Sequence, residues 1–382
     1  MDPYQIVQFN IPTIVRFGCG ATRELPAYLA SEGLSRPLIV TDPTVANLPF
    51  FADIVRQLQK QNIHVELFSD IHKNPVKSDV YHGVDVWDNS DRDSVIGIGG
   101  GAALDIARAI VLRVHHRDDL FKYDDLIGGD VYVTGDVPPF IAIPTTAGTG
   151  SEVGRSAIIA DDETHQKRIL FSPKLLAKIV FADPLLTMEL PPHITAATGM
   201  DALTHNIEAF LAKNYNPICD GIALEGIRLI SQSLKDAVLN PNEESRSNML
   251  LASMMGAIAF QKGLGVVHSL AHPLSSLLDT HHGLANAVNL AHGLAFNLEG
   301  NEDKYRRIAQ SLGLKDVSGE AVIDYINQLN TQISIPKNLS SIGVQESHLE
   351  TLADLAFADF AHPNNPKPVS RDDFYSLYKK AL

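Results

Sequence analysis

The sequence predicts an α/β domain over residues 1–186 followed by an all-helical domain over residues 187–382. Three observations carry that prediction. Short β-branched runs alternate with helical periodicities as far as Ala182. Strand signal fades beyond Asp183-Pro184. A run of three glycines stands between an apolar strand and a helix.

Strands are expected at Gln5–Phe17, Pro37–Thr41, His64–Phe68, Ser94–Ile98, Phe140–Ile143 and Lys178–Ala182. Several are continuous apolar runs, as in a parallel sheet covered on both faces. Helices fall between them, for example at Phe50–Gln61 and Ala102–Val114, and such alternation builds right-handed crossovers. Asp161-Asp162-Glu163, between two apolar runs, reads as a hairpin turn. From about Thr187 helical periodicity dominates, at Ala197–Ala212, Ile218–Leu239, Glu244–Gly263, Lys304–Leu312, Gly319–Leu329 and Glu346–Phe357. Asn240-Pro241 and Pro363-Asn364-Asn365-Pro366 break it. A cleft between two such domains is the ordinary place for a ligand.

Composition narrows the function. Apolar residues make up 45% of the chain and charged residues 20%, as in a globular protein. A formal charge of −14 gives no general attraction for nucleic acid or anionic membranes. No stretch reaches the roughly 18 apolar residues that span a bilayer. The start, Met-Asp-Pro-Tyr, lacks the basic region of a signal peptide. Cys19 and Cys219 are too few and too far apart for a disulfide framework, so the expectation is a cytoplasmic protein with reduced thiols.

Two loops point to a nucleotide. Ser94–Ile98 runs into Gly99-Gly100-Gly101 and then a helix, so bare backbone and a helix N-terminus can meet a diphosphate. The spacing is not the GxGxxG of the usual dinucleotide fold. After Phe140–Ile143 comes Pro144-Thr-Thr-Ala-Gly-Thr-Gly-Ser-Glu152, whose hydroxyls and amides suit phosphate or ribose. Asp42, at the end of Pro37–Thr41, is placed to accept from a ribose and would repel a 2′-phosphate, favouring NAD over NADP.

The helical half carries a metal signal. Asp201 and His205 stand at i and i+4, as do His268 and His272, and His281-His282-Gly283 follows. Residues four apart project from one helix face, so they can share an ion. One carboxylate and three imidazoles suit a divalent transition ion. His-Ser-Leu-Ala-His has the spacing of a zinc protease helix, but Ser269 stands where its general-base Glu would be.

Together these residues resemble the iron-containing (type III) alcohol dehydrogenase family, over essentially the whole chain. The segments that carry the resemblance are Gly99-Gly100-Gly101 with Asp105, Pro144–Glu152, Asp183-Pro184, Gly199–Phe210, Gly265–Leu274 and His282–Ala287, in family order. The resemblance implies a dehydroquinate synthase-like architecture, with an N-terminal dinucleotide-binding domain and a C-terminal helical one. It implies NAD(H)-linked interconversion of a small primary alcohol and its aldehyde, using one divalent metal, Fe²⁺ first and Zn²⁺ second. By motif, the metal ligands would be Asp201, His205, His268 and His282, with His272 near substrate. The cofactor residues would be Asp42, Asn74, Gly99, Gly100, Gly101, Thr145, Thr146, Thr149 and Lys167. Two positions depart from the family pattern: Ala102 stands where Ser is common, and His281 where many members carry Pro.

The resemblance extends to members acting on ω-hydroxy acids such as 4-hydroxybutyrate, for which Arg155 and Lys262 are the candidate cations. Phe260 is a candidate wall of the substrate site. Family precedent favours a homodimer, with Gln5–Phe17 adding to an edge strand. The main rival is an NAD- and metal-dependent lyase of the dehydroquinate synthase type. It needs several basic groups for a phosphorylated, carboxylated substrate, and the histidine-bearing half holds few.

Overall fold

A computed structural model describes residues 13–164 and 166–382. Contacts group them into two units. One runs from the start of the described chain to Thr146 and from Gly150 to Glu189; the other comprises Ala147–Thr149 and Leu190–Leu382.

The first unit is an α/β layer structure. Its elements are β1 (Ile14–Phe17), α1 (Leu25–Ser31), β2 (Pro37–Val40), α2 (Pro49–Lys60), β3 (Glu66–Phe68), α3 (Lys77–Asp88), β4 (Ser94–Gly99), α4 (Gly101–His115), β5 (Phe140–Pro144), β6 (Ser156–Ala160), β7 (Lys167–Phe171) and β8 (Ile179–Ala182). Six strands form a parallel sheet in the order β1-β8-β5-β4-β2-β3. The expected strand at Gln5–Phe17 is seen only as β1, because residues 5–12 lie outside the described chain. The strands β2, β4, β5 and β8 are buried along their whole length, which is why they read as unbroken apolar runs. Leu25, Leu29, Ile39, Phe51, Ile54, Ile96, Ile141 and Phe181 form a core between helices and sheet. The acidic turn at Asp161–Glu163 joins β6 and β7 into an antiparallel hairpin, as its composition predicts.

The order of the strands places a crevice. From β2 the chain passes to β3 on one side; from β4, the neighbour of β2, it passes to β5 on the other. The carboxyl ends of β2 and β4 therefore flank a topological switch point, where ligands of open α/β sheets bind. Thr41 ties these ends together, its Oγ1 donating to the Ile98 carbonyl at 2.6 Å.

A buried ion-pair network anchors the hairpin to α4. Arg108 is fully buried and donates to Ser151 Oγ, Ser156 O and Leu175 O, and to Asp105 Oδ1 at 3.2 Å. Asp105 accepts from Ser151 Oγ at 2.7 Å and from the Ile158 amide at 3.0 Å. Each buried charge thus has a partner of opposite sign and further polar contacts, the condition under which such pairs persist.

The second unit is helical: α5 (Pro192–Leu211), α6 (Pro217–Leu239), α7 (Glu243–Ala259), α8 (Val266–Leu278), α9 (His282–Asn297), α10 (Glu302–Ser311), α11 (Gly319–Gln332), α12 (Leu349–Phe357) and α13 (Arg371–Ala381). Helix α5 is its axis. Every residue from Thr195 to Leu211 is buried. The last carbonyls of α5 are met by two lysines: Lys262 Nζ donates to Phe210 O at 2.9 Å, and Lys304 Nζ to Leu211 O at 2.6 Å. These contacts satisfy acceptors that a helix end leaves open and set positive charge at its negative end.

Glu152 is buried, and burial pushes its carboxyl up to about 7. Below pH 4.5 it is protonated in both folded and unfolded chains. Between 4.5 and 7 only the unfolded chain ionises, so stability falls as pH rises through that window, by up to about 3 kcal/mol. Glu152→Gln is expected to raise the unfolding temperature at pH 8 and to leave it nearly unchanged at pH 4.5, as read by calorimetry at both values.

Candidate metal centre and nucleotide site

At the switch point, Asp42 closes β2. Its Oδ1 accepts from the amides of Thr44 and Val45, both at 2.9 Å, which fixes the carboxylate at the strand end. Gly99 ends β4 at φ +155°, and a Cβ there would lie 2.6 Å from Ala103 Cβ, so only glycine makes the turn into α4. Gly100 caps α4 and faces Thr146, and the Thr145 amide donates to Gly99 O at 3.0 Å. The N-terminus of α4, Asp42, Thr145 and Thr146 thus share the carboxyl edge of the sheet, an arrangement that suits a diphosphate and its ribose. Lys167 opens β7 near Asp105, whose carboxyl is pushed up by burial, with Arg108 and, less strongly, Lys167 acting the other way. Asn74 is half-buried in the loop after β3, where Pro75 O accepts from the Ala160 amide of the hairpin. Thr149 groups instead with the helical unit.

In the helical unit, α5 presents Asp201 and His205, α8 His268, and the first residue of α9 His282. One donor atom from each lies within 4.8 Å of the others. The distances from Asp201 Oδ1 to Nε2 of His205, His268 and His282 are 3.9, 4.0 and 3.5 Å. Close approach of α9 to α5 depends on Gly283, where a Cβ would stand 2.3 Å from the Ala197 carbonyl oxygen.

These donors fit a divalent cation. Burial holds the His205 imidazole down at about 4, so it is neutral near pH 7. His268 is set by Glu208, whose Oε2 is 2.6 Å from His268 Nδ1. A carboxylate only accepts, so Nδ1 carries the proton and Nε2 turns its lone pair to the cluster. Glu208 also accepts from the Val267 amide at 2.7 Å, capping α8. Three imidazoles and one carboxylate are the donors that Fe²⁺ and Zn²⁺ take.

His272 stands beside this set. Its ring stacks on His282 at 5.3 Å and on Phe360 at 5.3 Å, and its Nδ1 is 2.8 Å from Asp359 Oδ2. Asp359 is held in turn by Ser269 Oγ at 2.7 Å and the Ala361 amide at 2.9 Å. Phe260 packs on His205 at 5.1 Å. Lys262 is not available to a substrate carboxylate: it is buried and paired with Asp220.

Sequence reading missed three polar residues here. Glu208 was findable, since Asp201, His205 and Glu208 recur at i, i+4 and i+7 of one helix. Asn286 sits one turn after His282, and its amide lies 2.7 Å from Asp201 Oδ1. Asp359 is 87 residues from His272, with no local signal.

Comparison with known proteins follows the same division. A model described as iron-containing alcohol dehydrogenase matches residues 12–184, and one described as the C-terminal part of the Fe-containing alcohol dehydrogenase family matches residues 195–382. The chain is 35% identical to 4-hydroxybutyrate dehydrogenase of Cupriavidus necator, covering 97% of this chain and 98% of that one. It is 34% identical to NAD-dependent methanol dehydrogenase of Bacillus methanolicus, covering 99% and 100%. It superposes on a crystal structure of 1,3-propanediol oxidoreductase with a TM-score of 0.95 at 33% identity, covering 99% and 100%.

Glu208→Gln keeps the shape of the side chain but removes its charge. Groups that orient a ligand typically contribute 10–100-fold in metal affinity. A loss of about that size is expected for Zn²⁺, read by titration against a competing chelator.

Proposed function

The chain belongs to the iron-containing alcohol dehydrogenase family, and on that premise we propose which of its residues do the work. It is an NAD-linked oxidoreductase acting on CH–OH groups, with one divalent metal. The observation that carries the residue assignment is the convergence of four donors from three helices. Asp201, His205, His268 and His282 hold the ion, Fe²⁺ or Zn²⁺. Asp42, Asn74, Gly99, Gly100, Gly101, Thr145, Thr146, Thr149 and Lys167 hold NAD.

When bound, the ion supplies a Lewis acid for the charge that develops on an alcohol oxygen, and NAD takes the hydride. The chain supplies the rest. Glu208 keeps His268 in one tautomer. Asp359 does the same for His272, leaving Nε2 of His272 to pass the alcohol proton toward solvent. Phe260 and Phe360 pack against His205 and His272 and fix the planes of their rings.

The substrate we favour is a short, uncharged primary alcohol or its aldehyde. Lys262, the candidate cation of the helical unit, is buried and paired with Asp220, so it does not meet a substrate carboxylate. The second reading, an ω-hydroxy acid such as 4-hydroxybutyrate, is supported by the relative of that name. A cytoplasmic location is in keeping with an acidic chain in which no single described helix is long and apolar enough to cross a membrane. A homodimer is in keeping with β1 at the sheet edge, where Ile14 and Phe17 are exposed.

Stripping the protein with a chelator should abolish NADH oxidation at 340 nm with short aldehydes. Fe²⁺ under argon or Zn²⁺ should restore it, and metal-independent turnover would refute the four-ligand centre. In the same assay 3-hydroxypropionaldehyde is expected to exceed succinic semialdehyde in kcat/KM; the reverse order would favour the hydroxy-acid reading. His272→Ala should lower turnover by at least about 100-fold, the lower end of the usual scale of acid–base catalysis, while bound metal stays at the wild-type level. Loss of metal would make His272 a ligand instead.

A further inference from the structure

Asn286 lies one turn beyond His282 on α9 and is fully buried. Its Nδ2 is 2.7 Å from Asp201 Oδ1, 3.1 Å from His282 Nε2 and 3.3 Å from His268 Nε2. One amide group therefore touches three of the four residues that present donors. The shortest contact decides which way the amide faces. A carboxylate has only lone pairs to offer, so the atom 2.7 Å from Asp201 Oδ1 is the amide nitrogen. An amide oxygen there would set acceptor against acceptor, and a flipped assignment is excluded on that ground. Asn286 thus turns donors, not a ligand atom, toward the metal set.

We propose that Asn286 is the positioning residue of the metal centre, holding Asp201 so that it binds the ion through a single oxygen. This rests on the four-residue centre proposed above. Oδ1 is the Asp201 oxygen that faces all three imidazoles. The Asn286 N–H occupies one lone pair of that oxygen and leaves the other for the cation. It also fixes the carboxylate plane, which matters because χ2 of Asp is a broad, two-fold torsion with little preference of its own. Without the amide, Asp201 is free to turn and to offer either oxygen or both.

The test uses Asn286→Leu, which keeps the volume and removes both N–H groups, and Asn286→Ala, which removes the bulk as well. Metal-free proteins are titrated with Co²⁺ against a competing chelator, visible spectra are recorded, and unfolding is followed with and without the ion. Both variants should bind Co²⁺ about 10–100-fold more weakly than wild type. Their Co²⁺ bands should shift, and the ion should raise their unfolding temperature less. Should the alanine variant not fold, the leucine variant alone carries the comparison. Wild-type affinity and an unaltered spectrum in the leucine variant would overturn the proposal while leaving the four-residue centre in place. No stoichiometric Co²⁺ binding by wild type would remove the centre, and this proposal with it.

Discussion

Burying charge inside a helix that is covered on every side is the constraint on which this structure turns. Helix α5 carries Asp201 and Glu208 where ordinary core residues would stand, and neither is more than a few per cent exposed. Unpaired, such groups would cost several kcal/mol each. Each therefore draws other elements onto α5. Glu208 accepts from the Val267 and His268 amides of α8 and from the Nδ1–H of His268. Asp201 takes the Asn286 amide of α9 and faces three imidazoles. The packing of α8 and α9 against α5 and the convergence of the four proposed ligands rest on the same bonds.

The α/β unit solves a different problem with different means. A diphosphate needs close backbone and an open helix end, not buried counter-charge. Strand order supplies the crevice, Gly99 supplies the turn, and Thr145 supplies a bond that holds the neighbouring strand end in register. Asp42 is anchored by its own Asx turn, so its orientation is settled locally. The Arg108–Asp105 pair keeps the loop from Ser151 and the hairpin fastened to the helix that starts at the glycines.

The sequence was most legible where the physics is local. Apolar runs marked the sheet strands because both faces of the sheet are covered, and the acidic turn marked the β6–β7 hairpin. Asp201 and His205 were visible because four residues make one helical turn. Helices α8 and α9 were harder to bound: α8 carries Pro273 inside it, and a proline reads as a break in a helical run. Asp359 was invisible, since its bond to His272 spans 87 residues and depends wholly on how α12 and the turn after it dock. Lys262 was misleading for a related reason. A lysine reads as a free cation until the fold places Asp220 against it.

The donors come from helices that begin at residues 192, 266 and 282. No two of these helices are joined by a short turn that would bring the donors together early, except α8 and α9. The proposed ligand set therefore comes together only after most of the helical unit has been synthesised and docked. Before α8 and α9 are made, the chain offers only the Asp201–His205 pair of a single turn. On the proposed assignment, ion selection operates on the folded protein, so the metal at hand once folding is complete, and not the order of synthesis, decides which ion the set takes.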